Sequence, residues 1–161
     1  MNPSYFRIKL NKDEAIQRLC DWNGRKYKER IETKYSKAVD VSLDESRQWK
    51  GSCLYVYESE EWTVFEDLSG GYSFIDIESW KKFAKENELV FAAYNDAILY
   101  AEMIMIVDGI VTKYFIEDFD MPEENVNEGD GIAEINNWID VAKYVDEDDL
   151  VYSDTGVVLI F

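Results

Sequence analysis

The dipeptide Asp108-Gly109 stands between two long runs of apolar and β-branched residues, and it constrains the fold more than any other feature of the chain. Both residues tolerate positive φ angles, so Asp-Gly between apolar runs is the strongest short-range signal of a β-hairpin. The run 98–107 contains a single charged residue, Glu102, and is predicted to be a strand that is buried on both faces over most of its length. A further apolar run at 89–94 precedes it. The sequence therefore predicts three consecutive strands in the middle of a sheet.

Other apolar runs predict further strands. Residues 4–10 alternate between apolar and polar side chains, as expected of a strand with one buried face. Residues 52–58 and 62–68 are rich in aromatic and β-branched residues and predict a second antiparallel hairpin with a polar turn at 59–61. Residues 156–161 are all apolar apart from Gly156, so they are predicted to insert into the sheet as a last strand.

Three segments have the spacing of amphipathic helices. Asn11 is a suitable N-cap for a helix that Gly24 ends, and Asp76 is a suitable N-cap for a helix over 77–87. A third helix is predicted over 131–145. Between the first two helices, Ser69-Gly70-Gly71 predicts a tight turn, because no lysine or phosphate-loop spacing accompanies the glycines.

The segment 25–37 is basic and contains six of the 17 lysine and arginine residues of the chain. Tyr27, Ile31 and Tyr35 recur at intervals of four, which predicts one face of a solvated helix. Basic residues between tyrosines also occur in nucleic-acid-binding surfaces, but the acidity of the remaining chain opposes that interpretation. Residues 39–49 show no firm period and are predicted to form a connection with at most one short strand.

These elements predict one domain over 1–161 of the α+β class, with one mostly antiparallel, twisted sheet of about five to seven strands and two to four helices packed on it. The helix over 77–87 is also long enough for a crossover, so a parallel pair between the strands at 62–68 and 89–94 stays open at this stage.

The charge of the chain is unevenly distributed. The formal net charge is −17, yet residues 1–50 contain 12 basic and 8 acidic residues, whereas residues 51–161 contain 5 and 26. Such a field repels nucleic acid and anionic lipid and steers a basic partner toward the acidic part. A basic protein partner is therefore expected, with solubility alone as the competing explanation of the acidity.

Two acidic stretches, 117–131 and 146–149, supply the candidate contacts to such a partner. The candidate partner-binding residues are Asp118, Asp120, Glu123, Glu124, Glu128, Asp130, Asp146, Glu147, Asp148 and Asp149, with Glu60 and Glu61 as a further candidate pair. The first stretch does not have the EF-hand spacing for calcium, since Pro122 stands two residues after Asp120. Four consecutive carboxylates oppose the helix macrodipole, so the preceding helix is predicted to end before Asp146.

The chain contains no histidine, which excludes histidine-based triads, zincins and zinc fingers. Paired carboxylates also catalyse glycoside hydrolysis, and Glu102 is the acid whose burial would raise its pKa. No second acid can be assigned to it, so Glu102 is expected to be a strand carboxylate that faces outward. No catalytic residue, cofactor site or metal site is predicted.

The sequence has no run of eighteen apolar residues, and its N-terminal charges do not fit a signal peptide, so a cytoplasmic protein without membrane insertion is expected. Cys20 and Cys53 lack a CxxC spacing and are expected to be reduced core residues.

The phrases VFEDLSGG, SWKKFAKENELVFAAYNDAILYAEMIMIVDG, PEENVNEG and INNWIDVAKYVDEDDL, over roughly residues 62–150, resemble a group of small bacterial proteins that are similar to immunity proteins of polymorphic toxin systems. The resemblance implies a cytosolic protein that binds and blocks a cognate toxin, often a cationic nuclease. It does not cover residues 1–50.

The expected function is therefore that of a non-enzymatic binding protein that blocks a cationic toxin through an acidic surface. Two other classes stay open at this stage. One is a small enzyme or ligand-binding domain that uses carboxylates in a cleft, and the other is a scaffolding domain whose acidity serves solubility.

Overall fold

The computed structural model describes residues 4–131, 134–147 and 153–161. These ranges contain nine β-strands and four α-helices, with one further turn of 3-10 helix at Pro122–Glu124. The strands are β1 (Ser4–Ile8), β2 (Glu29–Lys34), β3 (Cys53–Ser59), β4 (Trp62–Asp67), β5 (Leu89–Asn95), β6 (Tyr100–Val107), β7 (Ile110–Asp118), β8 (Val126–Glu128) and β9 (Thr155–Ile160). The helices are α1 (Lys12–Asn23), α2 (Tyr35–Ser42), α3 (Ile77–Ala84) and α4 (Trp138–Glu147).

The described strands form a single sheet in the order β2-β9-β3-β4-β1-β5-β6-β7-β8. Every pair of neighbours is antiparallel. The predicted α+β class and antiparallel sheet are thus confirmed, but the predicted count of five to seven strands is too low. The two unpredicted strands are β2 and β8, which form the two edges of the sheet.

The first strand of the sequence, β1, lies at the centre of the sheet between β4 and β5. Both neighbours pair with β1 in antiparallel register, so a parallel pair between β4 and β5 does not form. The predicted meander β5-β6-β7 exists with its Asp108-Gly109 turn at φ angles of 51° and 74°, but it lies toward one edge rather than in the middle. The strand β6 is nevertheless buried on both faces, as predicted, because helices cover both sides of the sheet.

The sheet is the middle layer of three. Apolar residues of α1 and α3 pack with Phe6, Phe65 and Phe91 on one face. Ala38 of α2 and Val141 of α4 pack with the opposite face. Two continuous apolar cores therefore hold the sheet between two helical layers, and both cysteines are buried as free thiols, as expected.

The predicted helix caps are confirmed. The side-chain oxygen of Asn11 accepts a hydrogen bond from the amide of Glu14 at 3.0 Å, and Gly24 ends α1 with a φ angle of 66°. Asp76 accepts a hydrogen bond from the amide of Ser79 at 2.9 Å and caps α3. None of the helices in the described ranges is both long and apolar enough to cross a membrane.

The helix predicted over 25–37 is wrong, because this segment contains the edge strand β2 and the start of α2. Ile31 and Thr33 are half-buried against the sheet, whereas Arg30, Glu32 and Lys34 are exposed, which is the two-residue period of a strand. Pairing with the buried strand β9 determines this outcome, since β9 would otherwise lack a hydrogen-bonding neighbour on one side. The predicted connection at 39–49 contains the second half of α2.

The helix α4 also differs from its prediction at both ends. It begins at Trp138 rather than near 131, because Asn137 accepts hydrogen bonds from the amides of Ile139 and Asp140 at 2.9 and 3.1 Å and caps the helix there. Ile139 is 47% exposed, and the fully buried residue of the helix is Val141. The helix continues through Glu147 instead of ending before Asp146. Tyr144 and Val145 near its end pack against the apolar core of this face, and an unfavourable carboxylate costs only about 0.3–1 kcal/mol there.

Candidate partner-binding surface

The strand register brings several loops together at one end of the sheet. Ser4 of β1 pairs with Ala93 of β5, and Asn95 pairs with Tyr100 at the start of β6. Tyr100 in turn pairs with Asp118, the last residue of β7. The loops that follow β4, β5 and β7 therefore leave the sheet at the same end, together with the connection that leads into β3.

These loops expose large apolar side chains. Of the eight large hydrophobic residues that are exposed in the described part of the chain, five lie at this end. They are Trp49 (38% exposed), Phe74 (68%), Ile98 (46%), Phe119 (70%) and Met121 (41%), and we call them the sheet-end residues. Apolar side chains concentrated in this way mark an interaction site more often than isolated exposed residues do.

The loop that carries Phe74 is held by a buried carboxylate. Asp67 is 3% exposed and accepts hydrogen bonds from the amides of Gly70 and Tyr72 at 2.8 and 2.9 Å. The predicted tight turn at 69–71 is thus organised by the residue that precedes it. Phe74 adopts a φ angle of 62°, and its ring lies 4.7 Å from the ring of Tyr100, measured between centroids.

Glu102 supports the same loop from inside the protein. Its carboxylate accepts hydrogen bonds from the amide of Phe74 at 3.1 Å and from the hydroxyl of Tyr100 at 2.9 Å. The residue is 1% exposed, so the expectation that it faces outward is wrong. The alternation of β6 places Glu102 on the face covered by α1 and α3, where no path to solvent exists for a strand side chain. Burial raises the pKa of Glu102 to about 7, although the two hydrogen bonds act in the opposite direction.

A groove of about 560 Å³ opens between these loops. Its walls include Trp49, Phe74, Tyr94, Ile98 and Tyr100. Serine, asparagine, glycine and aliphatic residues complete the lining, and no charged residue of the described chain belongs to it. The groove can therefore accept an apolar group, and carboxylates do not converge in it.

The candidate acidic residues of the loop after β7 divide into two groups. Asp118 is 7% exposed and accepts hydrogen bonds from the amides of Asp120 and Met121, so it organises the loop and is not free to meet a partner. Asp120, Glu123 and Glu124 are exposed beside Phe119 and Met121. These three carboxylates form the acidic rim of the sheet end.

Glu128 and Asp130 lie farther along the edge of the sheet. Glu128 of β8 pairs with Tyr114 in the middle of β7, and both acidic side chains are exposed. Lys113 of β7 stabilises the position of β8, since its ammonium group donates hydrogen bonds to the side chain of Asn127 at 2.6 Å and to the carbonyl of Gly129 at 3.0 Å. These two carboxylates are thus separated from the acidic rim along the strand direction.

The second acidic stretch is described only in part. Asp146 is exposed on α4 and accepts a hydrogen bond from the hydroxyl of Tyr94, a residue of the groove, at 3.3 Å. Only the backbone of Glu147 is described, and Asp148 and Asp149 lie outside the described residues. Glu60 and Glu61 belong to the turn between β3 and β4, at the opposite end of the sheet, so they do not join the other candidates.

The uneven charge of the sequence becomes a separation in space. The basic segment 25–37 contains the edge strand β2, and the acidic loop leads into the other edge strand, β8. Eight strand spacings of about 4.8 Å separate the two edges, or about 38 Å. A charged partner therefore meets the basic segment at one edge and the acidic loop near the other.

Within the described ranges, no three Asp, Glu or Cys side chains are grouped so that they could hold a metal ion. Comparisons with models of protein families, with curated proteins and with solved structures found no match to this chain. The resemblance to immunity proteins therefore stays a prediction.

The five sheet-end residues were not predicted from the sequence as a site. The sequence contains a pattern that could have indicated exposure of two of them. Phe119 stands between Asp118 and Asp120, and Phe74 follows the turn at 69–71. A large aromatic residue inside a polar loop has no strand or helix to bury it. For Trp49 and Ile98 only the register of the sheet identifies the common location.

Proposed function

We propose that this protein binds and neutralises a basic protein partner of the toxin class through the acidic, apolar end of its sheet. The observation that carries the proposal is the location of five exposed apolar side chains beside the exposed carboxylates Asp120, Glu123 and Glu124. Binding energy at protein interfaces concentrates in a few large apolar or aromatic residues surrounded by polar ones. The sheet end has that composition.

The electrostatic part of the proposal concerns the rate of association. With a net charge of −17 and its basic residues concentrated near one edge, the protein attracts a cationic partner toward β7, β8 and the loop between them. Complementary charge raises association rates and suppresses wrong partners more than it adds affinity. The carboxylates of the acidic rim make no ion pair within the described residues. Binding to a cationic group of the partner therefore does not require an ion pair of these carboxylates to be broken first.

The toxin class comes from the resemblance of residues 62–150 to immunity proteins. The physical argument supports it in one respect, since a nuclease toxin has a basic surface for phosphates and an inhibitor can present carboxylates there.

The proposal is tested by expressing the product of the gene immediately upstream in a bacterial host, with and without this protein. Growth arrest by that product and relief of the arrest by this protein are the expected results. The variant with Asp120→Asn, Glu123→Gln and Glu124→Gln is expected to relieve the arrest less well. The matched control carries Asp13→Asn, Glu61→Gln and Glu86→Gln, which remove the same charge from exposed positions at the opposite end of the sheet. Failure of the wild-type protein to relieve growth arrest, or equal relief by both variants, would contradict the proposal.

The alternative function is a ligand-binding domain or small enzyme with carboxylates in a cleft. The groove of about 560 Å³ is the observation in its favour, because this volume is within the range of small-molecule sites. However, the described lining of the groove is uncharged, and Glu102 is enclosed by Phe74 and Tyr100. The alternative in its carboxylate form therefore has less support than partner binding.

A further inference from the structure

We propose that the groove is the socket for one apolar side chain, aromatic or branched aliphatic, presented by a basic segment of the partner protein. This inference rests on the proposed function and adds the chemistry of the contacting segment. It follows from the composition of the groove and from the charges at its mouth.

The composition of the groove suits an apolar group in contact with aromatic rings. Trp49 and Ile98 are exposed side chains of the groove lining, and the ring of Phe74, also in the lining, lies against that of Tyr100. Glu102 and Asp67 fix the loop that carries Phe74 through hydrogen bonds to its backbone, so this wall is organised before any partner arrives. A preformed socket lowers the entropy cost of binding.

The charges at the mouth of the groove select a basic carrier for that apolar group. Asp96 is exposed next to Asn95 of the lining, and Asp146 contacts the lining residue Tyr94. On the side of Trp49 the nearest cations are engaged within the protein. Arg47 lies 3.3 Å from Asp40, and Lys50 donates to the carbonyl of Val41 at 3.0 Å. Asp96 and Asp146, which lie next to lining residues, therefore favour a basic carrier over an acidic one.

The test uses three capped synthetic peptides as probes. They are Lys-Arg-Phe-Arg-Lys, Lys-Arg-Ala-Arg-Lys and Gly-Ser-Phe-Ser-Gly, titrated into the purified protein at 50 and 300 mM NaCl. The readout is the indole N–H signal of Trp49 in a ¹H–¹⁵N spectrum, assigned with Trp49→Phe. The basic Phe peptide is expected to shift the Trp49 signal and to bind at least about tenfold more tightly than the basic Ala peptide, because burying one large apolar side chain is worth about tenfold or more. At 50 mM NaCl it is also expected to bind more tightly than the uncharged Phe peptide, because its positive charges are attracted to the acidic side chains beside the groove.

A matched pair of variants locates the binding. Ile98→Ala removes part of the groove wall, and Ile110→Ala makes the same change at the opposite end of the sheet, where Ile110 is 67% exposed. Ile98→Ala should weaken the basic Phe peptide several-fold and Ile110→Ala should not. Equal effects of the two variants would overturn the proposal even if both proteins bind.

The remaining outcomes separate this inference from the proposed function. Equal binding of the basic Phe and Ala peptides, with affinity that falls as salt rises, would refute the socket while leaving a basic partner in place. Binding of the uncharged Phe peptide as tight as that of the basic one would refute the requirement for a basic carrier. Absence of binding by the basic Phe peptide at 1 mM would refute the socket, and the growth assay would then decide on the proposed function by itself.

Discussion

Replacing Glu102 by glutamine is expected to make the protein clearly more stable at pH 8 and only slightly more stable at pH 5. The carboxyl group is 1% exposed, and burial raises its pKa from 4.5 to about 7. Above pH 7 the folded protein must hold a buried carboxylate that the unfolded chain exposes to water. Glutamine retains an oxygen that can accept hydrogen bonds from Phe74 and Tyr100, yet it carries no charge.

The magnitude follows from linkage between protonation and folding. Because the folded-state pKa is raised, the contribution of Glu102 to stability is fully present below the unfolded pKa and is lost as the pH rises through about 7. Between pH 5 and pH 8 the wild-type protein should therefore lose about 2 to 3 kcal/mol more than Glu102→Gln does, at about 1.4 kcal/mol for each pH unit in the affected interval.

The assay is unfolding of both proteins at pH 5 and pH 8, monitored by near-ultraviolet circular dichroism. Urea is the denaturant because it is uncharged and does not screen charges. Glu45→Gln removes the same charge from an exposed position and serves as the control, for which the difference from wild type should stay within about 0.5 kcal/mol at both pH values. A difference between wild type and Glu102→Gln that is equal at pH 5 and pH 8 would refute the account of Glu102 as a buried group that is charged only at high pH.

Three further substitutions test parts of the structure by urea unfolding. Gly156→Ala should lower the free energy of unfolding by about 1–3 kcal/mol, because a Cβ atom at this position of β9 would lie 2.6 Å from the carbonyl oxygen of Val56. An unchanged urea midpoint would contradict the close approach of β9 and β3. Asp67→Ala should lower the free energy of unfolding by about 2 kcal/mol, since it removes the acceptor for the amides of Gly70 and Tyr72. The same change should weaken partner binding at the sheet end. A loss of stability without any change in partner binding would show that the loop after β4 does not belong to the interface. Asn11→Ala should cost about 1 kcal/mol through loss of the N-cap of α1, and a change below about 0.3 kcal/mol would count against that cap.

The sequence predicted those parts of the fold that depend on local signals. The caps Asn11 and Asp76 and the turn Asp108-Gly109 are formed by residues that are adjacent or nearly adjacent in the chain, so their patterns are visible without tertiary information. The apolar run of β9 was likewise sufficient to predict its insertion into the sheet.

The errors occurred where tertiary pairing outweighed a local pattern. The interval of four between Tyr27, Ile31 and Tyr35 fits a helix, but the need of β9 for a second neighbour makes a strand of residues 29–34. The position of β1 between β4 and β5 could not be inferred from spacing, because β1 is separated from both by long stretches of chain. The short strand β8 depends on the buried ammonium group of Lys113, whose contacts have no signature in the sequence.

The candidate site was predicted in its charge but not in its geometry. The acidic loop after β7 is exposed as expected for Asp120, Glu123 and Glu124, whereas Asp118 is used to organise the loop. Glu102 was predicted to face outward because an isolated carboxylate is costly to bury, and the sequence does not show that the amide of Phe74 and the hydroxyl of Tyr100 donate hydrogen bonds to it. The apolar sheet-end residues come from five separate positions in four loops, and only the strand register brings them together.

The most direct test of the central claim is the association rate constant between this protein and the upstream gene product, measured by surface plasmon resonance at 50 and 300 mM NaCl. The wild-type rate should fall steeply with salt, and Asp120→Asn, Glu123→Gln and Glu124→Gln together should lower it at 50 mM by about tenfold or more. The control with Asp13→Asn, Glu61→Gln and Glu86→Gln should stay within about twofold of wild type. Equal rates for the two triple variants would contradict the claim that the acidic end of the sheet meets the partner.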